Sequence, residues 1–307
     1  MKLPAGHGVR FVKGHGTEND FVLLHDPDGD LELSASTVAR LCDRRSGLGG
    51  DGLIRVVRSG ALPDGSGQDA EWFMDYRNAD GSPAQMCGNG TRVFAAYLAA
   101  AGLIDLRDGG GVRIGTRAGV KTVRREGASY VTDLGPWFLP GGADAAARGA
   151  DSEVSVTGAP LASPGAGLPA LSVDVGNPHT VVALPGADQL TAADLRSAPV
   201  VTPLPAEGSN VELVVPLHDA TAHVGHLAMR VHERGVGETR SCGTGVVAAA
   251  IAARAWGGEQ APSVWTVDVP GGRLSVTLPE GSLLAGDSAE LAGPAVLGVS
   301  GALDVLP

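Results

Sequence analysis

The sequence is poor in cysteine, lysine, aromatic residues and long apolar runs, and each shortage excludes something. Three cysteines, Cys42, Cys87 and Cys242, with no Cys-x-x-Cys, exclude a disulfide scaffold and a zinc cluster and fit a reducing compartment. Three lysines, Lys2, Lys13 and Lys121, none in a site-like context, argue against pyridoxal chemistry, which needs a Schiff-base lysine. No Lys/Arg block occurs and the formal charge is −11, so neither nucleic acid nor an anionic membrane is an expected partner. No segment approaches the ~20 apolar residues that span a bilayer, and residues 1–16 lack an apolar stretch of signal-peptide length; the expected location is cytoplasmic.

What is present is a chain of 307 residues, 43% apolar but only 4% aromatic, with 46 Gly and 20 Pro: a globular protein built on Ala and Val, long enough for two domains. Short apolar runs between Gly, Pro and Asp turns predict a mostly β chain, with strands near 9–12, 21–24, 53–57, 71–76, 112–114 and 120–123. The second half continues with 171–175, 180–184, 211–215, 226–232, 264–269 and 273–278. Helices are predicted at 36–44, after a Ser34 or Ser36 cap, at 91–101 ended by Gly102, and at 246–255 ended by Gly257. The tract 141–167 reads as a loop without chemistry, holding one strand near 154–156.

The two longer helices carry the chemistry. Each is preceded by Cys-Gly-x-Gly: Cys87-Gly88-Asn89-Gly90 and Cys242-Gly243-Thr244-Gly245, 155 positions apart. A cysteine at a helix N-terminus meets unpaired N–H groups and the positive end of the dipole, which lower a thiol pKa and make an anion-binding corner. Two other landmarks recur at nearly the same spacing. Asn19-Asp20-Phe21-Val22 returns loosely as Asn177-Pro178-His179-Thr180 after 158 positions, and Gly49-Gly50-Asp51-Gly52 as Gly208-Ser209-Asn210-Val211 after 159. Common order and offset predict a duplicated domain, with a boundary near 133–140 and a cleft between the halves. Two thiols on either side of one carbon can invert it, one removing a proton while the other donates, with no metal or organic cofactor. Offsetting the weak acidity of an amino-acid α-proton demands alignment, donors on the carboxylate and exclusion of water.

Six separated motifs, spread from Phe11 to about Gly293, resemble the diaminopimelate epimerase family: His15-Gly16-x-x-Asn19-Asp20-Phe21, Asn78-Ala79-Asp80-Gly81-Ser82, Met86-Cys87-Gly88-Asn89-Gly90, Gly176-Asn177-Pro178-His179, Asn210-Val211-Glu212, and Glu233-Arg234-Gly235 through to Gly245. The resemblance implies conversion of LL-2,6-diaminopimelate to the meso isomer, a step toward lysine and peptidoglycan. It implies an α+β fold of two pseudo-symmetric lobes, each a β-barrel-like sheet around a central helix, and a homodimer. The lobes would be 1–134, completed by 291–307, and 135–290. Carried over by position, Cys87 is the base in the LL-to-meso direction and Cys242 the acid, with His179 and Glu233 tuning the thiols. Gly88-Asn89 and Gly243-Thr244 correspond to donors for the carboxylate at the reacting centre. Arg234, with Asn78, Asn177 and Asn210, corresponds to the set gripping the distal amino-acid end, and Asn19 to a further substrate contact; an Arg fork suits a carboxylate.

The pattern departs from the family's commoner one at Thr17-Glu18, where Leu-Gly is frequent, at Gly52, where some members carry a substrate-binding Gln, and in the tract 141–167. Cys42 reads as an inert core thiol. His218, His223, His226 and His232 lack metal-ligand spacing. Gly47 to Gly52 lacks the Gly-Lys-Ser/Thr of a phosphate loop and reads as a turn. The rivals are a proline or hydroxyproline racemase-like enzyme, which typically has His where Asn89 stands, and, from other classes, a thiol redox sensor or a noncatalytic amino-acid-binding module.

Overall fold

The computed structural model describes residues 8–158, 167–217, 223–281, 283–304 and 306. Two compact units emerge, the first taking residues up to Asp133 and from Ala292 onward, the second Leu134–Leu291. In chain order the first unit holds β1 (Val9–Gly16), β2 (Asn19–His25), α1 (Ala35–Cys42), β3 (Gly52–Arg58), β4 (Trp72–Asn78), α2 (Gly88–Ala100), β5 (Gly111–Gly115), β6 (Lys121–Glu126) and β7 (Ser129–Asp133). The second begins with β8 (Trp137–Phe138), α3 (Gly142–Arg148), β9 (Ser152–Ser155), β10 (Leu168–Asp174), β11 (Pro178–Ala183), α4 (Ala187–Ala192) and β12 (Val200–Thr202). It continues with β13 (Asn210–Pro216), β14 (Val224–Glu233), β15 (Gly237–Thr239), α5 (Gly243–Gly257), β16 (Val264–Val269), β17 (Gly272–Thr277) and β18 (Ala285–Gly286). β19 (Glu290–Pro294) spans the return to the first unit, which ends with β20 (Val296–Leu303).

The two units repeat one pairing scheme. In the first, β1–β2 is antiparallel, β2–β3 parallel, β3–β4 antiparallel, β4–β5 parallel and β5–β6 antiparallel. In the second, β10–β11, β11–β13, β13–β14, β14–β16 and β16–β17 follow the same alternation. Parallel neighbours need a crossover, and a helix lies in each of the four crossovers: α1 and α2 in one unit, α4 and α5 in the other. The duplication visible in three sequence landmarks therefore extends through the strand order. Gly49 and Gly208, matched in that repeat, both adopt left-handed φ, 73° and 72°, at the turns into β3 and β13. The register refines the alignment by one residue: Phe21 lies opposite Gly52 and His179 opposite Asn210, so Gly52 is the counterpart of Asn210.

In each unit the strands wrap one helix. α2 packs against β1 to β7 and β20, and α5 against β10, β11, β13, β14, β16 and β17. A helix apolar around its whole circumference has to be enclosed, and Gly88 to Leu98 of α2 are all buried. Small Ala and Gly side chains let the strands approach; Val93, Phe94, Tyr97 and Leu98 then fill the space against Val12, Phe21, Ile54 and Met74. Each such large apolar side chain removed from water contributes about 1.5–3 kcal/mol. α2 ends with Gly102 at φ 72° and a Leu103 N–H to Leu98 C=O bond, the glycine-terminated pattern that satisfies the last carbonyls.

Four sequence expectations need correction. α1 starts at Ala35, capped by Ser34 accepting from the Thr37 N–H, and stops at Cys42, two residues short of the expected end. α5 runs through Gly257, and Gly258, at φ 68°, is the residue that ends it. The tract 141–167 contains the helix α3 as well as a strand, because Ala145 has a buried position to occupy; residues 159–166 lie outside the described ones. β7, β8, β12, β15 and β18 to β20 are strands the apolar pattern did not reveal, because their segments are short or weakly apolar. Among the described residues no helix is long and apolar enough to cross a membrane.

Candidate active site

In the first unit Cys87 is the N-cap of α2. Its backbone is extended, at φ −140° and ψ 122°, and its sulfur accepts from the Gly90 N–H at 3.5 Å. The thiol donates to Asn19 Oδ1 at 3.6 Å, and Asn89 Nδ2 donates to the same oxygen at 3.2 Å. Asn19 cannot turn that oxygen away without losing a bond, since its Nδ2 donates to Asp51 Oδ2 at 2.8 Å. Behind this amide Arg44 bridges Asp20 and Asp51, both at 2.7 Å, and Lys13 pairs with Asp20 at 2.9 Å. Burial pushes the Asp20 carboxyl up, but the bonds from Arg44 and Lys13 outweigh it and bring it down to about 2.

Cys87, Gly88, Asn89 and Asn19 thus form one cluster. Asn78 belongs to the same unit, but its amide is taken by the Tyr76 hydroxyl at 3.3 Å and by Ser82 Oγ at 3.0 Å. Glu18 sits in the two-residue turn joining β1 to β2, exposed, and both turn residues have positive φ, 50° at Thr17 and 61° at Glu18. Gly52 has no room for a side chain: a Cβ there would lie 2.6 Å from the Arg77 carbonyl and 2.7 Å from the Tyr76 ring.

In the second unit Cys242 occupies the equivalent N-cap of α5, extended at φ −119° and ψ 116°. Its surroundings differ. Glu233, at the end of β14, accepts from the Thr239 hydroxyl and from the Cys242 thiol. Thr244 Oγ1 lies 3.6 Å from the sulfur. His179, on β11, is 1% exposed; its Nδ1 is 2.7 Å from Glu212 Oε1 and its Nε2 is 3.1 Å from Asn177 Oδ1. The β11–β13 register, with His179 opposite Asn210, brings the His179 ring within reach of Glu212. Asn210 accepts from the Arg234 N–H at 2.9 Å, and the Arg234 guanidinium, half-exposed, donates to the Glu207 carbonyl.

The thiol chemistry departs from the expectation for a helix N-terminus. The Cys242 pKa is pushed well above the ordinary thiol value, first by burial and then by the negative charges of Glu233 and Glu212, against which the Thr244 hydroxyl and the Gly245 amide act only in part. Glu233 is likewise pushed up, chiefly by burial and further by Glu212, while Thr239, Cys242 and His179 pull it down. The helix end is where sequence put it; two carboxylates and burial outweigh its dipole.

Sequence reasoning did not single out Glu212 or Arg92. Glu212 is fully buried among apolar neighbours on β13, and its Oε2 has no hydrogen-bond partner among the described residues. Its place in Asn210-Val211-Glu212, a charge where strand alternation calls for a core residue, was the signal available. Cys42 is a buried thiol pushed up to about 11, by burial first and by Asp20 and Asp51 next. His226 is paired with Asp268 at 2.9 Å and His232 Nδ1 with the Leu195 carbonyl at 2.8 Å; His218 lies outside the described residues.

The two-unit α+β architecture recurs in solved structures. A Bacillus anthracis phenazine biosynthesis protein of the PhzF family superposes with a TM-score of 0.66 at 16% identity, covering 97% of this chain and 99% of its own. A hydroxyproline epimerase from Agrobacterium vitis superposes with 0.64 at 12% identity, covering 97% and 93%. These likenesses establish the fold. The particular family follows from sequence: the diaminopimelate epimerase model matches residues 11–137 and 171–287. The diaminopimelate epimerases of Streptomyces coelicolor and Thermobifida fusca are each 47% identical, over 96% of both chains in the first case and over 95% of this chain and 97% of the relative in the second. The chain belongs to the diaminopimelate epimerase family of isomerases.

Proposed function

We propose that this enzyme epimerises LL-2,6-diaminopimelate to the meso isomer without a cofactor, Cys87 removing the α-proton and Cys242 supplying one to the opposite face, with the roles exchanged in reverse. The observation that carries the reading is the match between the two halves: two cysteines, each the N-cap of the one enclosed helix of its unit, on a strand order repeated pairing for pairing. Two such corners suit a carbanion generated between two acids, because each offers backbone N–H groups to a carboxylate while presenting a sulfur to the carbon. Gly88 with Asn89 and Gly243 with Thr244 hold the reacting carboxylate.

His179 and Glu233 handle the Cys242 proton, Glu233 through its bond to the thiol and His179 through the Glu212 pair. Arg234, Asn78, Asn177, Asn210 and Asn19 recognise the second amino-acid head and the substrate entry. Several hydrogen bonds to that head would strongly reject amino acids that lack it. The enzyme then works as a homodimer in the cytoplasm, supplying meso-diaminopimelate for lysine and peptidoglycan. Turnover of LL-diaminopimelate by Cys87→Ser, Cys242→Ser and Cys42→Ser tests the assignment: the first two should fall by at least about 100-fold, and the third should match the parent. Normal turnover in either of the first two sinks the two-thiol scheme.

A further inference from the structure

Arg92 lies on α2, one turn beyond Cys87, and is the largest fully buried side chain among the described residues. Its Nη2 donates to Asn89 Oδ1 at 2.9 Å and reaches Thr17 Oγ1 at 3.5 Å, while Nε and Nη1 have no hydrogen-bond partner among the described residues. Gly16 makes room for it: a Cβ at that position would lie 3.0 Å from Nη2. A buried guanidinium is ordinarily matched to a carboxylate. Among the described residues Arg92 has no such partner, and burial pulls its pKa down to about 10, with Cys87 the group whose charge opposes the loss.

Other charged groups on the elements flanking Cys87 are paired with one another. β1 carries Lys13 and His15, the turn Glu18, β2 Asp20, and the segment before β3 Arg44 and Asp51. Lys13 and Arg44 are taken up by Asp20 and Asp51, and on β4 Arg77 pairs with Asp75, which shares Arg117 with Asp64; the Tyr76 hydroxyl is donated to Asn78. Glu18 is exposed at the turn. In the matched helix of the second unit the position 155 residues on is Val247, and the charges around Cys242 are the carboxylates Glu233 and Glu212. One thiol has a buried cation for company and the other has anions.

We propose that Arg92 is a positioning residue for Cys87, holding the Asn89 amide with its Nδ2 toward Asn19 and placing a buried positive charge one turn along α2 from Cys87, so that Cys87 is the thiol that ionises first. This rests on the two-thiol reading above and assigns its starting protonation state: Cys87 loses its proton to water and waits as thiolate, and Cys242 keeps its own. Groups whose surroundings push their pKa values apart are the arrangement an acid and base pair requires. Asn89 contributes as well, because its donation to Asn19 Oδ1 competes with the Cys87 thiol for that acceptor and so weakens the hold on the thiol proton.

The test is the pH dependence of iodoacetamide labelling at Cys87, read by peptide mass spectrometry on the full chain, in the parent, Arg92→Gln and Arg92→Lys. Gln keeps a donor for Asn89 without the charge; Lys keeps the charge. The parent midpoint should lie below the ordinary thiol value of about 8.5, Arg92→Gln should raise it by about 1 unit or more, and Arg92→Lys should stay within about 0.5 unit of the parent. Arg92→Gln should also lower kcat in the LL-to-meso direction about tenfold with KM nearly unchanged. A parent midpoint at or above 8.5, or superimposable parent and Arg92→Gln profiles, overturns the proposal. A parent midpoint at or above 8.5 overturns the proposal even where Arg92→Gln does not fold. Labelling needs no substrate, so a protein that labels as expected yet leaves LL-diaminopimelate untouched would refute the proposed reaction and leave Arg92 its role.

Discussion

Replacing Glu233 by Gln removes a buried negative charge from beside Cys242 while keeping an acceptor for the thiol and for Thr239. The charge raises the Cys242 pKa, second only to burial among its causes. A unit charge about 5 Å away at an effective dielectric constant of about 20 is worth roughly 3 kcal/mol, or about 2 pK units, as an upper figure; relaxation and the surviving Glu212 charge make 1–2 units the working range. Labelling does not rise in full proportion, because a thiolate loses nucleophilicity as its pKa falls, with a Brønsted slope of about 0.4–0.5. The net gain is therefore roughly 3- to 16-fold in the iodoacetamide rate at pH 8.5, measured on the Cys242 peptide, while epimerisation falls. Cys42, whose thiol sits near 11 behind Asp20 and Asp51, provides an internal reference that should not change. An unchanged or slower Cys242 rate in folded Glu233→Gln would refute the electrostatic account of this thiol.

Stability should decline on the alkaline side: Cys242 has a raised folded pKa, so folded and unfolded chains are both protonated below the unfolded value near 8.5, and above it the unfolded chain loses the proton first. The unfolding free energy from urea titrations should fall above pH 8.5 by up to about 1.4 kcal/mol per pH unit for each raised thiol, Cys242 and Cys42, and Cys242→Ser should roughly halve that slope; equal slopes would contradict it. Gly52→Gln, the residue some family members carry, should cost about 2 kcal/mol or more because its Cβ meets the Arg77 carbonyl and the Tyr76 ring, read as a lower urea midpoint at unchanged m. Glu18→Gly should raise stability by up to about 1 kcal/mol by relieving a left-handed backbone in a non-glycine residue, visible as a higher Tm; a lower Tm would mean that Glu18 makes a compensating contact.

How far sequence reached depends on the range of the interaction concerned. The two cysteines were legible because a helix N-cap is local: an extended residue, Gly-x-Gly and a small-residue helix are written within a few positions. The duplication was legible because three landmarks kept their order, and the strand pairing then repeated around them. Arg92 was not, since an arginine in an Ala-rich helix reads as a solvated residue until the strands around it are known to leave no solvent. Glu212 was not, since only the β11–β13 register, joining residues far apart in the chain, puts it against His179. The direction of the Cys242 shift failed for the same reason: the local rule of the helix dipole is overruled by burial and by carboxylates arriving from β13 and β14. β20 escaped because its alternation is weak and its partner β1 lies at the other end of the chain.

Incubation of the reduced protein with LL-diaminopimelate in deuterated water tests the central claim most directly. Deuterium entering at one α-carbon together with appearance of the meso isomer, both lost in Cys87→Ser and Cys242→Ser, is the predicted result. A folded, reduced protein that produces neither deuterated substrate nor meso isomer would contradict it.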